Sequence, residues 1–599
     1  VRTSPRSRTV SRTFAGLSVL ALGASTLAST VMAPSAVAAP ASQDSSTYVG
    51  KVEVVKGRAA DEKMLKGTAF IDRDRDSRQD RNEKGLAGVR VSNGRDVVVT
   101  DRQGRYSLAV DGNTTVFVTQ PRGYRVPVDA DNVAQFFYNH VPAGSPALMF
   151  GGIKATGATP KAVNFPVVAS KLTQTSEQHC LIGGDIQTYK DKEVTYAANG
   201  AFKDLSHRTD YAGCGALFIG DIVGDNPALY PRTRELTSMI NGPARFLPGN
   251  HDLDFDAKQR EHRFDSFRNQ FGPTYHSYDA GKVHVISLDT VDYPVAGKSY
   301  NGMLGQEQME WLANDLARTP KDRLVVVAGH IPLLTFADEG SEQHQIDEVA
   351  QVYKLLKGRK AIHVSGHTHS IENMRKGDAM QGWEKLFGIS GLPFTHLTSG
   401  AISGDWFSGR MLEGGYPVAV QRDGGLPGVV TLDIKGTEVK ERFTVRGDDG
   451  SKQMTLGLNT PAYRQWFTAN LSNKGKAPQF ADLLVVKQGE LASTWLTTNF
   501  YMGSTGSTVK VSFDGARART ADRTQKMEGE GQYVGADFSD PTAVQEQLVN
   551  GGSIADRTMH LWRSSVPTDL KPGKHTAKVT ATDVHGRRFT ETITFEVKA

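Results

Sequence analysis

The stretch Ala216-Leu217-Phe218-Ile219-Gly220-Asp221-Ile222-Val223-Gly224-Asp225 runs apolar through Ile219 and turns polar after Gly220. A continuous apolar run of this length between turn signals reads as a strand buried on both faces. The loop that follows it presents carboxylates. The same arrangement recurs along the chain. Residues 181–184 lead into Gly184-Asp185-Ile186-Gln187, and Gly249-Asn250-His251-Asp252 forms a third block. Residues 324–328 lead into Gly329-His330, and 362–365 into Gly366-His367-Thr368-His369. Between them, 283–288 reads as a further strand. Residues 305–318 read as a helix with Met309, Leu312 and Leu316 on one face, and 346–357 is also helical in pattern. Strands alternating with helices predict a layered α/β core.

N-terminal to these blocks, residues 51–127 carry short alternating runs, among them Val97-Val98-Val99 and Val116-Phe117-Val118, separated by turns such as Asn93-Gly94 and Asp111-Gly112. That pattern predicts a small antiparallel sandwich, an N-terminal domain over 51–150. Residues 128–175 read as loop-rich. The core is expected over 176–395. Beyond it the text is glycine-rich and then returns to period two, as at Ile593, Phe595 and Val597, so 396–599 is expected to be a β-rich C-terminal domain. At the other end, Arg2, Arg6, Arg8 and Arg12 precede an apolar stretch over 14–32, and Pro34-Ser35-Ala36-Val37-Ala38 closes it with small residues. This reads as a cleavable signal peptide over 1–38, followed by a linker over 39–50. A membrane anchor is the alternative, and Gly23, Ser25 and Ser29 within the apolar stretch weaken it. The mature chain is expected to be secreted, with no membrane span.

The composition narrows the class. At 599 residues the chain exceeds a single hydrophobic core, and 38% hydrophobic with 23% charged residues is ordinary globular text. The formal net charge is +5, and the four arginines of the signal supply four of those charges. No nucleic-acid-binding bias remains. Two cysteines exclude a disulfide-dense scaffold and a thiolate-ligated metal array. Metal chemistry must then come from Asp, Asn, Gln and His, which are the residues at the ends of the strands. Oxygen and imidazole donors suit Mn, Zn, Fe or Mg rather than a soft metal. In layered α/β proteins such groups meet beyond the carboxyl ends of the strands.

The five blocks together resemble the calcineurin-like metallophosphoesterase superfamily, whose signature is Asp-x-His, Gly-Asp, Gly-Asn-His-Asp/Glu, Gly-His and Gly-His-x-His. The flanks resemble the N-terminal and C-terminal β domains of bacterial secreted members. The resemblance implies a multidomain α+β protein with a four-layered α/β/β/α core between an N-terminal β sandwich and a C-terminal β-rich domain. It implies two divalent ions, one held by Asp185, Gln187, Asp221 and His369, the other by Asp221, Asn250, His330 and His367. Gln187 departs from the commoner histidine, which bears on metal identity. The implied reaction is hydrolysis of phosphate mono- or diesters, in which the ions activate a water and His251, oriented by Asp252, acts as general acid. The rival reading is a cell-surface binding or adhesion protein with a vestigial metal site.

Three further features stay open at this level. Cys180 and Cys214 each stand just ahead of a buried-strand pattern, and form either a disulfide or two buried thiols. Asp72, Asp74, Asp76, Asp80 and Glu83 follow EF-hand spacing, with Ser77 where glycine makes the sharp turn; this is either a calcium loop or a solvated turn. The 396–427 stretch, with His396, Asp405, Trp406, Arg410, Tyr416 and Asp423, either folds over the metals or joins two domains.

Overall fold

The computed structural model describes residues 47–294 and 299–599. The signal read at 1–38, and all but the end of the linker read at 39–50, lie outside the described residues. Among those residues no helix is long and apolar enough to cross a membrane.

Two sheets face each other at the centre. The first runs Ala244–Leu247, Gly215–Ile219, Glu177–Gly183, Gly428–Lys435, Glu438–Val445. Its first three strands are parallel and its last two antiparallel. The second runs His276–Ala280, Val283–Leu288, Leu324–Gly329, Lys360–Ser365, Thr395–Ser399, Ile371–Met374, with parallel strands in the middle and an antiparallel strand at each edge. Side chains alternate across these strands, as the two-residue period requires. Leu217, Ile219, Val283, Val285, Val326 and Ala328 meet in one buried cluster between the sheets. Phe218, Ile286, Val325 and Val327 face the other way, in a cluster that includes Phe202, Phe267, Trp311 and Val352 from helical segments. Phe202 stacks on Phe218 at 5.8 Å between ring centres. The core is therefore helix, sheet, sheet, helix.

The helix read at 305–318 spans Gln306–Ala317 and buries Trp311, Leu312 and Leu316. Trp311 lies edge-on to Phe117, 6.1 Å away in the N-terminal sheets, so this helix joins core to flank.

The N-terminal β region holds two sheets. One runs Glu53–Arg58, Pro160–Ala169, Met64–Ile71, Arg105–Ala109, and the other runs Val97–Val99, Arg90–Ser92, Thr114–Val118, Phe137–His140. The loop-rich reading of 128–175 is corrected here, because that stretch supplies two strands, one of them ten residues long and central to its sheet. Met64–Ile71 and Pro160–Ala169 pair in parallel, so this sandwich is not wholly antiparallel. Pro166 disguises the long strand, since proline removes a ladder donor. It is tolerated because it falls between the residues that pair with Glu53–Arg58 and those that pair with Tyr124–Arg125.

The C-terminal region is β-rich, with sheets Met454–Asn459, Trp495–Phe500, Leu561–Ser565, Asp522–Arg523 and Val485–Lys487, Arg588–Lys598, Gly573–Thr582, Thr508–Phe513, Arg519–Thr520. Two of the strands that follow residue 396, Gly428–Lys435 and Glu438–Val445, sit in the core sheet beside Glu177–Gly183. Cys180 and Cys214 are joined in a disulfide, with Cα atoms 5.0 Å apart. Cys180 stands opposite Gly215 on the neighbouring parallel strand, which brings Cys214 within reach.

Candidate metal centre

The parallel strands of both sheets deliver their polar blocks to one edge. Asp185 and Gln187 follow Glu177–Gly183, Asp221 follows Gly215–Ile219, and Asn250 and His251 follow Ala244–Leu247. His330 follows Leu324–Gly329, and His367 and His369 follow Lys360–Ser365. Asp185, Gln187, Asp221, His367 and His369 all have positive φ, from 43° to 73°. Non-glycine residues rarely adopt that region, and each costs on the order of 1–3 kcal/mol.

The ligand atoms of Asp221, His330 and His367 lie within 4.8 Å of one another. His330 Nδ1 donates to the Ile219 carbonyl at 3.0 Å, which turns Nε2 toward the site. That nitrogen lies 3.0 Å from Asn250 Oδ1, 3.3 Å from Asp221 Oδ2 and 3.2 Å from His367 Nδ1. His369 is fixed in the same manner. Its Nδ1 donates to the Gly404 carbonyl at 2.6 Å, and Nε2 stands 3.6 Å from Asp185 Oδ1. Both Asp185 oxygens accept from the His367 backbone N–H at 3.1 Å. The Gln187 backbone N–H donates to the Asp221 carbonyl at 2.8 Å, tying two blocks together.

Electrostatics fit a cationic occupant. Burial pushes the Asp185 carboxyl up, and the Asp221 charge adds to it. Burial acts the same way on Asp221, but His330 and His251 outweigh it and hold its pKa low. Burial keeps His369 neutral down to about 4 and lowers His367 well below its ordinary value, the state in which imidazole ligates metal. Gln187 Oε1 is buried with no hydrogen-bond partner, an orphaned acceptor that a cation would satisfy. Two carboxylates, two amide oxygens and three imidazoles form a donor set of the right class for divalent ions.

His251 stands apart from that set. Its backbone N–H donates to Asp221 Oδ1 at 2.9 Å, and its Nδ1 lies 2.7 Å from Asp225 Oδ1. Burial would lower its pKa, but Asp221 and Asp225 outweigh that and raise it to about 9. The expectation that Asp252 orients His251 is corrected. The Asp252 carboxylate accepts from Gly249 N at 2.8 Å, Ile222 N at 3.1 Å, Val223 N at 3.3 Å and Tyr230 Oη at 3.2 Å, so it pins the loops together. Asp225 is the partner, already present in the block after Gly220 but with nothing in the spacing to single it out. Tyr300, stacked on His344 and edge-on to His367, was not legible in sequence either. Nor was Arg422, which donates to both oxygens of Asp338 at 3.0 and 3.1 Å.

The 396–427 stretch packs against the ligand-type blocks and also joins the C-terminal region. Ser403 N donates to the Asp185 carbonyl at 3.1 Å, Arg422 N donates to the His369 carbonyl at 3.0 Å, and the Trp406 ring lies 4.7 Å from that of His369. Asp405 instead accepts from Ser553, Arg410 pairs with Glu546, and Asp423 meets His560, all of them in the C-terminal region. His396 is buried against Tyr353 and Phe394, and Tyr416 lies under Arg446.

In the acidic loop, Asp72, Asp74 and Asp76 bring carboxylate oxygens within 4.8 Å of one another. Ser77 takes a φ of 66° and its N–H donates to Asp72 Oδ2 at 2.9 Å. Glu83 accepts from the N–H groups of Arg73 at 2.6 Å and Asp80 at 3.1 Å, closing the loop on itself.

Known families match this arrangement. Residues 179–370 match the calcineurin-like phosphoesterase domain, 73–151 the N terminal of calcineurin-like phosphoesterase and 396–589 its C terminal. The chain thus belongs to the calcineurin-like metallophosphoesterase superfamily and carries both flanking regions. A probable glycerophosphodiester phosphodiesterase GpdQ of Arcobacter nitrofigilis is 28% identical over 161 residues, 26% of this chain and 56% of that protein. The 3',5'-cyclic adenosine monophosphate phosphodiesterase CpdA of Haemophilus influenzae is 31% identical over 163 residues, 26% of this chain and 55% of that protein. The acid phosphatase type 7 of Mus musculus is 30% identical over 127 residues, 20% of this chain and 28% of that protein. The matched segment spans 56% or less of the length of each of these relatives.

Proposed function

We propose that the protein is a secreted phosphoesterase that hydrolyses phosphate mono- or diesters in this cleft with two divalent ions. Asp185, Gln187, Asp221 and His369 would hold one ion, and Asp221, Asn250, His330 and His367 the other. When bound, the ions supply Lewis-acid polarisation of the phosphoryl group and a water of lowered pKa. The chain's own contribution is orientation and a proton. His251 is the general acid: Asp225 grips Nδ1, so Nε2 points away from that contact with a proton to give to the leaving oxygen. The single observation that carries the reading is this histidine, held by Asp225 and partly open to solvent, beside seven ligand-type residues, all buried but the half-buried His367, that exclude it. Relatives named as phosphodiesterases and as an acid phosphatase support the same reaction class, and leave mono- and diesters both in scope.

Export rests on the text of residues 1–38, and the pairing of the chain's two cysteines suits an oxidising compartment. The oxygen-only cluster of Asp72, Asp74 and Asp76 is of the class that takes calcium, which would order the loop and play no part in the reaction.

The test is turnover of 4-nitrophenyl phosphate and bis(4-nitrophenyl) phosphate with added Mn or Zn, followed by His251→Ala. The variant should lose about 10²–10⁴-fold on an alkyl ester, whose leaving oxygen needs a proton, and less on the aryl esters. Undiminished alkyl turnover in the variant would remove His251 from the acid role. No wild-type turnover of either aryl ester with any metal would favour an adhesion role carried by the flanking domains.

A further inference from the structure

The geometry points to a stacking subsite for a planar ring, built on Trp406 at the edge of the metal centre. The inference rests on the phosphoesterase reading and names the substrate class within it: phosphate esters that carry an aromatic ring, of which nucleoside phosphates are the biological kind. Trp406 is 44% exposed, whereas the other tryptophans of the chain are buried or half-buried. Its indole lies 4.7 Å from the ring of His369, tilted by 36°, and no other ring packs against it among the described residues. One face of the indole therefore leans on a ligand-type histidine while much of its surface meets solvent.

The backbone is bent to put it there. Trp406 and Phe407 have φ values of 50° and 51°, a region that bulky residues seldom enter. Such strain persists only where the surroundings enforce it, and it gathers at functional sites. Here the surroundings are visible. Phe407 is buried against Tyr196 at 5.9 Å, Phe407 N donates to the Ser403 carbonyl at 3.0 Å, and Ser408 N donates to the Asp405 carbonyl at 3.0 Å. The Asp405 carboxylate accepts from Ser553 N at 2.6 Å and Oγ at 2.9 Å. Phe407 is buried within the turn, whereas Trp406 reaches out of it to His369 and the solvent. The same turn offers the Gly404 carbonyl to His369 Nδ1, so ligand-type histidine and indole are held in register.

Every nucleobase has a π face, so an indole recognises bases without reading their edges. Glyceryl esters have no ring and gain nothing from it. The predicted consequence is a KM effect confined to ring-bearing esters. Trp406→Ala should raise KM for adenosine 5'-monophosphate on the order of tenfold or more, with glycerol phosphate unchanged within about twofold. Trp406→Phe should keep most of the affinity. If the enzyme acts only on diesters, bis(4-nitrophenyl) phosphate and glycerophosphoethanolamine take the same two roles. Equal KM changes for ring-bearing and glyceryl esters would overturn the subsite. A second readout does not depend on turnover or on the alanine variant folding. Adenosine 5'-monophosphate should quench indole fluorescence in the wild type by stacking, and that part of the quench should vanish in Trp406→Phe. Identical quenching in both proteins would overturn the proposal. Should the wild type turn over neither these esters nor the aryl esters, the phosphoesterase reading falls, and the quench alone decides the subsite.

Discussion

A methyl group at position 249 would stand 2.1 Å from Asp221 Oδ1, and one at 366 would stand 2.4 Å from Asp185 Oδ2. Neither contact can be relieved by a flexible tip, because both carboxylates are buried and hold backbone N–H groups. Gly249→Ala should therefore displace the Asp221 carboxylate and lower both bound metal and kcat/KM, the latter by about 10²-fold for a shift near 1 Å. Gly112→Ala, where an added methyl meets nothing within 4 Å, is the matched control. Metal analysis of the purified variants decides; full metal content in Gly249→Ala would show that the carboxylate has room to move. The residues whose place was legible in sequence are those of this kind, each announced by a glycine at the end of an apolar run. Asp225, Tyr300 and Arg422 carried no such announcement. Their contacts are made across loops that are distant in sequence, and only the fold brings them to the cleft. Asp252 misled for the opposite reason: it adjoins His251 in the chain, but its side chain turns into the loops beneath.

At the scale of elements, a network of five ionisable groups binds the N-terminal sheet to the core. Arg90, on Arg90–Ser92, donates to Asp279 of His276–Ala280 at 2.9 Å, and Arg323 reaches the same carboxylate at 2.9 Å. His284 of Val283–Leu288 lies between Asp279 at 2.8 Å and Asp315 of Gln306–Ala317 at 2.6 Å. Burial opposes charge on His284, but Asp315 and Asp279 outweigh it and raise its pKa above the ordinary value. Burial would raise Asp279 too, yet Arg90 outweighs it and brings it down to about 2. The folded chain thus holds the His284 proton more tightly than the unfolded chain does. That stabilisation is complete below about pH 6.5 and is lost as pH rises through the raised folded value. The Asp279 contribution is complete above about pH 4 and is lost as pH falls toward 2. Denaturant midpoints of wild type and His284→Asn should differ most between about pH 4 and 6.5 and converge at alkaline pH. A difference that stays constant from pH 5 to 9 would remove His284 from the account. None of this network shows in the sequence, where 283–288 reads only as an apolar strand. Period two revealed most strands but not their partners, and Pro166 hid one strand outright.

At the scale of the molecule, the segment that reads as the catalytic domain does not close on itself. Glu177–Gly183 is covered on one side by Gly428–Lys435, and Leu432 and Ile434 fill the interior between the sheets. A fragment of residues 176–395 would expose that strand edge and the apolar surface beside it, and it would lack the wall formed by 400–425. It should aggregate when expressed alone, while residues 51–599 remain monodisperse by size-exclusion chromatography. A monomeric fragment with full metal content would overturn this. That the core is layered α/β was legible because apolar strands and amphipathic helices alternate, whereas the order of its four layers came only with the family resemblance. The sheet membership of 428–445 was not, since antiparallel strands look alike whichever sheet they join.

The wall between those two stretches of sheet touches both ends of the protein's work. Gly404 holds His369, while Asp405 is gripped by Ser553 and the Gln421 carbonyl by Gln547. If the ions bind as proposed, any coupling of their loading to the seating of the C-terminal region through this wall would be reciprocal: what loosened the seam would weaken the grip on the ion, and an ion in place would tighten the seam by the same free energy. Substitutions in the C-terminal region, far from phosphorus, would then be read by the cell as changes in metal requirement.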